Sequence, residues 1–132
     1  MAHIAHLKLD GGGEFDIIEC EYEFTKPIKE NGQPAGHASG GLMHLIVVTP
    51  DETVLTLYEW MQSSTEQKDG EIIFSVVDLG ESAVKTLKFK GAYCIRLYDN
   101  FNKHNNVQMY TKITVSAAEI SFGSVTFKND QK

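Results

Sequence analysis

The sequence predicts a mainly β fold with one short α-helix, and three observations lead there. Apolar residues recur at every second position within residues 15–24 and 84–98, the period of a strand with one buried face. Only the stretch after Thr49-Pro50 carries apolar residues at three- and four-residue spacing, the period of a helix. Between two strand-like segments, residues 26–41 are polar and hold two prolines and four glycines, too long for a simple hairpin turn. At 132 residues the chain fits a single domain, 1–132. A domain of that size buries roughly two-thirds of its unfolded surface, so its core needs neither metal nor disulfide.

The elements follow in order. Residues 3–9 read as a strand, and Gly11-Gly12-Gly13 as a hairpin turn, because a phosphate-cradling loop should lead into a helix and this one precedes a strand. In residues 15–24, Ile18, Cys20, Tyr22 and Phe24 alternate with Glu19, Glu21 and Glu23, and the adjoining Ile17-Ile18 break the alternation where a β-bulge would re-aim the strand. Asn31-Gly32 is a strong turn pair, so residues 26–41 read as an extended two-stranded arm closed there. Leu42–Val48 is almost wholly apolar, as for a strand covered on both faces. Thr49-Pro50-Asp51-Glu52 has the form of a capping box, with Thr49 as the cap of a helix over about 50–62 whose stripe is Val54, Leu57, Tyr58 and Met61. That stripe reads as a plug against a sheet.

Residues 70–78 give another strand. Residues 84–98 give a longer one, with Leu87, Phe89, Tyr93, Ile95 and Leu97 inward, Lys88, Lys90 and Arg96 outward, and a bend at Gly91. Residues 107–117 place Val107, Met109, Thr111, Ile113, Val115 and Ala117 inward and Gln108, Tyr110, Lys112, Thr114 and Ser116 outward. Residues 120–127 continue the β pattern, and 128–132 read as a flexible tail.

Composition narrows the function. Eighteen acids against twelve bases give a net charge of -6, which disfavours nucleic acid as a partner. No run of about 18 apolar residues is present, so no membrane insertion is expected. The start, Met1-Ala2-His3-Ile4-Ala5-His6-Leu7-Lys8, lacks the basic and apolar regions of a leader, so no signal peptide is expected. Cys20 and Cys94 form no C-x-x-C pair or zinc spacing and read as reduced thiols. No hydrolase elbow, zinc-protease motif, Walker loop or dinucleotide fingerprint occurs, and His3, His6, His37, His44 and His104 show no ligand spacing. No catalytic residue, metal or cofactor is therefore assigned. Glu19, Glu21 and Glu23 share one strand face, which reads as a solvated face or as the complement of lysines such as Lys88 and Lys90, within one subunit or between two.

The order of features resembles one known family. Glu21-Tyr22-Glu23-Phe24 ends an early strand; Asn31-Gly32-Gln33-Pro34 and Ser39-Gly40-Gly41 lie in the arm; an apolar strand and one helix follow. Lys88-Phe89-Lys90-Gly91-Ala92-Tyr93 and Thr114-Val115-Ser116-Ala117-Ala118-Glu119-Ile120 complete the pattern over nearly the whole chain. It is similar to the haemolysin-coregulated protein family (Hcp, TssD), in the branch of Bacteroidetes-type systems. The resemblance implies an Hcp-like β-barrel of two packed antiparallel sheets with one helix at its side and a long arm. It implies a structural role without enzymatic activity: a homohexamer whose stacked rings form the inner tube of a type VI secretion machine. Its partners would be further copies of itself, the spike protein, the contractile sheath and secreted effectors. Assembly would be cytoplasmic and export would run through the machine. The arm then maps to residues 26–41, with Lys29, Glu30, Asn31, Gly32, Gln33 and Pro34 at contacts with neighbouring subunits or rings. The alternative is a β-barrel module that binds a small ligand or a protein without building a tube, disfavoured because the inward positions Phe89, Tyr93, Ile95 and Met109 are large.

Overall fold

The computed structural model describes residues 3–49, 52–76, 82–99 and 109–128. Among them the chain forms β1 (His3–Leu9), β2 (Glu14–Tyr22), β3 (Leu42–Val48), α1 (Val54–Gln62), β4 (Lys68–Val76), β5 (Ser82–Asp99), β6 (Tyr110–Ser116), β7 (Glu119–Phe122) and β8 (Val125–Lys128). The strands pair antiparallel in the order β4-β1-β2-β3-β6-β5-β7-β8, and a further pairing of β4 with β5 closes six of them into a barrel. The expected packed sheets are the facing walls of this closed sheet. β7 and β8 form a hairpin on the flank of β5, joined through Gly123, whose φ of 59° suits glycine, so the segment 120–127 is divided by a turn. No helix among the described residues is long and apolar enough to cross a membrane.

Closure rests on the eighteen-residue β5. It pairs with β4 from Ser82 to Ala92, with β7 from Lys88 to Lys90, and with β6 from Tyr93 to Asp99. Where it passes between partners its phase changes. Leu87 and Phe89 are buried, Gly91 takes a φ of 62°, and the buried residues beyond it are Ala92 and Cys94. Tyr93 is only half-buried and Ile95 is exposed, contrary to the alternation read from sequence, because a left-handed residue displaces the period by one. A register shift between Cys94 and Arg96 resets it, and Leu97 packs on the core again.

β2 uses the same device. Its pairing with β3 shifts between Ile17 and Glu19, the bulge expected at Ile17-Ile18. Phe15 and Ile17 face the core before it and Cys20 and Tyr22 after it, while Ile18, expected inward, stands 55% exposed. β6 buries the expected Thr111, Ile113, Val115 and Ala117, and also Thr114, which was expected outward and is covered on the other face beside His44. Met109, expected inward, is exposed just before the strand, and Val107 and Gln108 lie outside the described residues. β3 buries Met43, Leu45 and Val47 but leaves Leu42 and His44 exposed, so within one chain it is covered on one face.

The helix plugs the barrel through Leu57 of the expected stripe, with Val54 packed on the core, and through Trp60, which that stripe left out. Leu57 and Trp60 are fully buried, whereas Tyr58 and Met61 are exposed. Trp60 donates its indole N–H to the carbonyl of Ala92 at 3.1 Å, satisfying a backbone group where β5 leaves β4. The expected cap is also displaced. Thr49 is buried at the end of β3, its hydroxyl 3.1 Å from that of Thr111, which in turn donates to Asp99 at 2.6 Å. The N-cap position belongs to Thr53, and Pro50 and Asp51 lie outside the described residues. The other oxygen of Asp99 accepts the hydroxyl of Tyr58, which ties α1 to the far end of β5 and holds the Tyr58 phenol above its ordinary pKa. Gly70 is fixed by close approach: a Cβ there would lie 2.6 Å from the carbonyl oxygen of Lys8 and 2.7 Å from the Phe89 ring.

Trp60 is thus both the largest buried side chain and a polar tie. Trp60→Phe is expected to cost about 1–2 kcal/mol, since it leaves the Ala92 carbonyl unsatisfied. Trp60→Ala adds a cavity and should cost about 3–5 kcal/mol. Urea unfolding followed by circular dichroism measures both, and a Trp60→Phe variant as stable as the parent would refute the role of the hydrogen bond.

Candidate assembly surfaces

The arm is built from its root upward. Phe24 follows β2 and stacks on Phe127 of β8 at a centroid distance of 3.8 Å, with Phe122 edge-on at 6.3 Å and Tyr22 at 6.0 Å. A Cβ at Gly40 would sit 2.5 Å from the Phe24 ring and 2.7 Å from the Glu23 carbonyl oxygen, so only glycine lets the returning chain pass here. Thr25 and Ser39 then exchange two backbone hydrogen bonds of 2.9 and 2.7 Å. Ala35 donates to the Pro27 carbonyl at 2.8 Å and Lys29 to the Gln33 carbonyl at 2.8 Å. The tip closes through Gly32, with φ of 86°, whose N–H reaches the Lys29 carbonyl at 2.9 Å. The Asn31 side-chain oxygen accepts the Gln33 N–H at 3.0 Å, the Asx bond that makes asparagine effective in turns.

These bonds all lie within the arm, and every residue from Thr25 to His37 is exposed. Lys29, Glu30, Asn31, Gly32, Gln33 and Pro34 form its outer end together, as their spacing suggested. The sequence reading missed Ile28. It pairs with Pro34 in an isolated bridge and is 71% exposed, an apolar side chain held outward near the tip. An isoleucine amid lysines and glycines was the available signal.

The charged residues fall on separate walls. Glu19, Glu21 and Glu23 are exposed on and just past β2, with Ile46 and His44 of β3 opposite the first two. Lys88 and Lys90 are exposed on β5, opposite Glu71 of β4 and Glu119 of β7 respectively. In the six-strand cycle β2 and β5 are three steps apart, so the acids and these lysines point away from each other within one chain. Arg96 lies beyond the Gly91 phase change and lines a shallow outer groove of about 310 Å³ with His44, Tyr98, Lys112 and Thr114. There the His44 Nδ1 is 3.0 Å from the Thr114 hydroxyl, and the Lys112 ammonium lies 5.7 Å from the Tyr98 ring centroid.

At the barrel end beneath the arm root is an open concavity of about 1110 Å³, lined by Cys20, Tyr22, Phe74 and Lys85 and rimmed by Glu21 and Glu23. The Lys85 ammonium donates to the Tyr22 hydroxyl at 2.9 Å and lies 4.8 Å from the Phe74 ring centroid, a cation seated among aromatic faces. The barrel interior itself is filled by Trp60, Phe89, Leu7, Met43 and Leu45. The large inward residues expected from sequence therefore reduce to Phe89, with Trp60 taking the place of Tyr93, Ile95 and Met109. Among the described residues no three His, Cys, Asp or Glu side chains converge to hold a metal. His6 pairs with Asp16 at 2.7 Å, His37 is exposed in the arm, and His104 lies outside the described residues. Lys128 ends β8, and the rest of the segment read as a tail is likewise outside them.

A closed barrel with a projecting, self-bonded arm and charge displayed on separate outer walls defines the class of the fold, and comparison with known proteins gives its family. The family model for hemolysin coregulated protein Hcp (TssD) matches residues 1–130, and the chain belongs to that family. Hcp1 from Flavobacterium johnsoniae is 27% identical, with a TM-score of 0.84 over 96% of this chain and 99% of that one. A further Hcp crystal structure has a TM-score of 0.78 at 14% identity, over 99% of this chain and 100% of that one. A subunit of the sheath-tube complex of the extracellular contractile injection system PVC shares the fold at 20% identity, with a TM-score of 0.60 over 92% and 88% of the two chains. No curated protein sequence matches. The chain is thus a type VI secretion tube protein, from a structural rather than an enzyme family.

The two thiols give a check on burial. Desolvation pushes both Cys20 and Cys94 up to about 11 from an ordinary 9.0. At pH 7.5 each should be alkylated about a hundred-fold more slowly than a free cysteine peptide, in proportion to thiolate. Because the folded-state pKa is raised, this contribution to stability is complete below pH 9 and is lost as pH rises towards 11. Iodoacetamide rates against pH test the shift, and rates matching the free peptide would refute it.

Proposed function

We propose that this chain is the repeating subunit of the inner tube, closing into six-membered rings that stack and carry effectors. The observation that carries the reading furthest is the arm. An outward hairpin whose hydrogen bonds are all internal, with no residue from Thr25 to His37 buried, gains nothing for its own barrel and suits contact with another copy. Ile28 and the segment Lys29–Pro34 are its contact end. The acidic stripe Glu19, Glu21 and Glu23 serves a second contact, with cationic residues of a neighbouring copy, for which the exposed Lys88 and Lys90 are one candidate set. Heterologous contacts of this kind join two different patches of one protein and form a ring when the rotation closes.

The machine supplies the remaining partners: a spike at the tip, a contractile sheath around the tube and effectors within it. The sheath-tube assembly in which a related fold is found supports that setting. Assembly takes place in the cytoplasm, and the protein leaves through the machine.

Deleting Glu30–Ala35 should leave the melting temperature within about 2 °C, since exposed arm residues contribute little to the core. The same deletion should reduce rings or stacks in electron micrographs and in sedimentation velocity. Unchanged assembly at unchanged melting temperature would refute the role of the arm. Assembly should also weaken between 50 mM and 500 mM salt, where exposed charge pairs are screened, and salt-independent assembly would remove the charged contact.

A further inference from the structure

The wall β2-β3-β6-β5 ends in two strand edges of opposite charge, and we propose that the acidic edge of one copy lies against the basic edge of the next. This rests on the tube-subunit reading and names the surface by which copies join side by side.

Both edges arise where the barrel changes partners. β1 accompanies β2 only as far as Ile17, so among the described residues Glu19–Tyr22 have β3 as their one strand neighbour. β4 accompanies β5 only as far as Ala92, so Tyr93–Asp99 have β6 as theirs, with α1 alongside through Trp60 and Tyr58. The β2 edge, with no second strand among the described residues, offers backbone donors and acceptors to another chain, while at β5 the contact is made by the outward side chains beside α1. Three antiparallel steps separate β2 from β5, so a neighbour's β2 beside β5 continues the antiparallel pattern.

The side chains on the outer face sort by sign across that wall. One cross-strand row runs Glu21, His44, Thr114, Arg96; the adjacent row runs Glu19, Ile46, Lys112, Tyr98. With strands about 4.8 Å apart, the acid at one end of a row and the base towards the other stand about 10–14 Å apart along the wall. Among the described residues no ion pair engages Glu19, Glu21, Arg96 or Lys112. Head-to-tail repetition removes that separation and sets each acidic edge beside the Arg96–Lys112 groove of the next copy. Each edge also carries an isoleucine thrown outward by a register shift, Ile18 at 55% and Ile95 at 50% exposure, which supplies apolar contact within the charged rim. Lys88 and Lys90 fit this contact less well, because Glu71 and Glu119 already stand opposite them in the same sheet.

Charge exchange tests the proposal. Glu19→Lys with Glu21→Lys, and separately Arg96→Glu with Lys112→Glu, should each weaken ring formation at least about ten-fold in sedimentation velocity. The four changes together, or an equimolar mixture of the two double variants, should restore rings, which simple misfolding would not do. If either reversed variant fails the circular-dichroism control for folding, Glu19→Gln with Glu21→Gln and Arg96→Gln with Lys112→Gln replace it; each should flatten the salt dependence of assembly. A parent protein that forms rings while the reversed variants assemble equally well overturns this contact and leaves the tube reading standing. Loss of rings on Lys88→Glu with Lys90→Glu but not on reversal of Arg96 and Lys112 also overturns it. A parent that stays monomeric at all concentrations overturns both.

Discussion

The structure depends on one constraint: its six-strand barrel closes through a single strand that pairs with β4 along its first part and with β6 along its second. β5 does this by changing partner near Ala92, and Gly91 makes the change possible by adopting a backbone conformation that other residues resist. A Cβ at Gly91 would also meet the Ala118 side chain at 3.1 Å, so the turn into β7 is packed on the same spot. The helix follows from this geometry. Where β5 departs from β4 the barrel wall has a gap, and Trp60 and Leu57 fill it while the Trp60 N–H satisfies the carbonyl left at Ala92.

The same transition creates the outer surfaces. A strand that leaves one partner before its end exposes an edge, and β2 repeats the pattern on the other side of the wall. Rigidity at the core and availability at the rim are therefore two results of one arrangement of strand lengths.

Much of the fold was legible because period and chemistry agree in most strands. The inward set Thr111, Ile113, Val115 and Ala117 follows simple alternation, and the adjoining Ile17-Ile18 mark the bulge of β2. Phase was lost where backbone conformation outweighs pattern: Gly91 was visible as a bend, but its displacement of Tyr93 and Ile95 depends on a dihedral angle that composition does not encode. The helix stripe held at Val54 and Leu57 and failed at Tyr58 and Met61 for a related reason. Val54-Leu57-Tyr58-Met61 and Leu57-Trp60 are both helical spacings, and only the gap beside β5 decides which faces inward. Thr49 was misread because a threonine before a proline suits a cap, while its hydroxyl finds a better partner in Thr111 on the neighbouring strand β6. Of the assembly surfaces, the arm could be found from its turn pair and length. The Arg96–Lys112 groove could not, because three strands distant in sequence build it.

The aromatic clasp at the arm root carries one more implication, for timing. Phe24 belongs to the early part of the chain and Phe127 to the last strand described, yet the two rings stack at 3.8 Å. On the ribosome the arm is synthesised long before β8 emerges, so its base has no stacking partner until the barrel is nearly complete. A half-made subunit thus has an arm whose base lacks its stacking partner, and the clasp closes only with the last strand described.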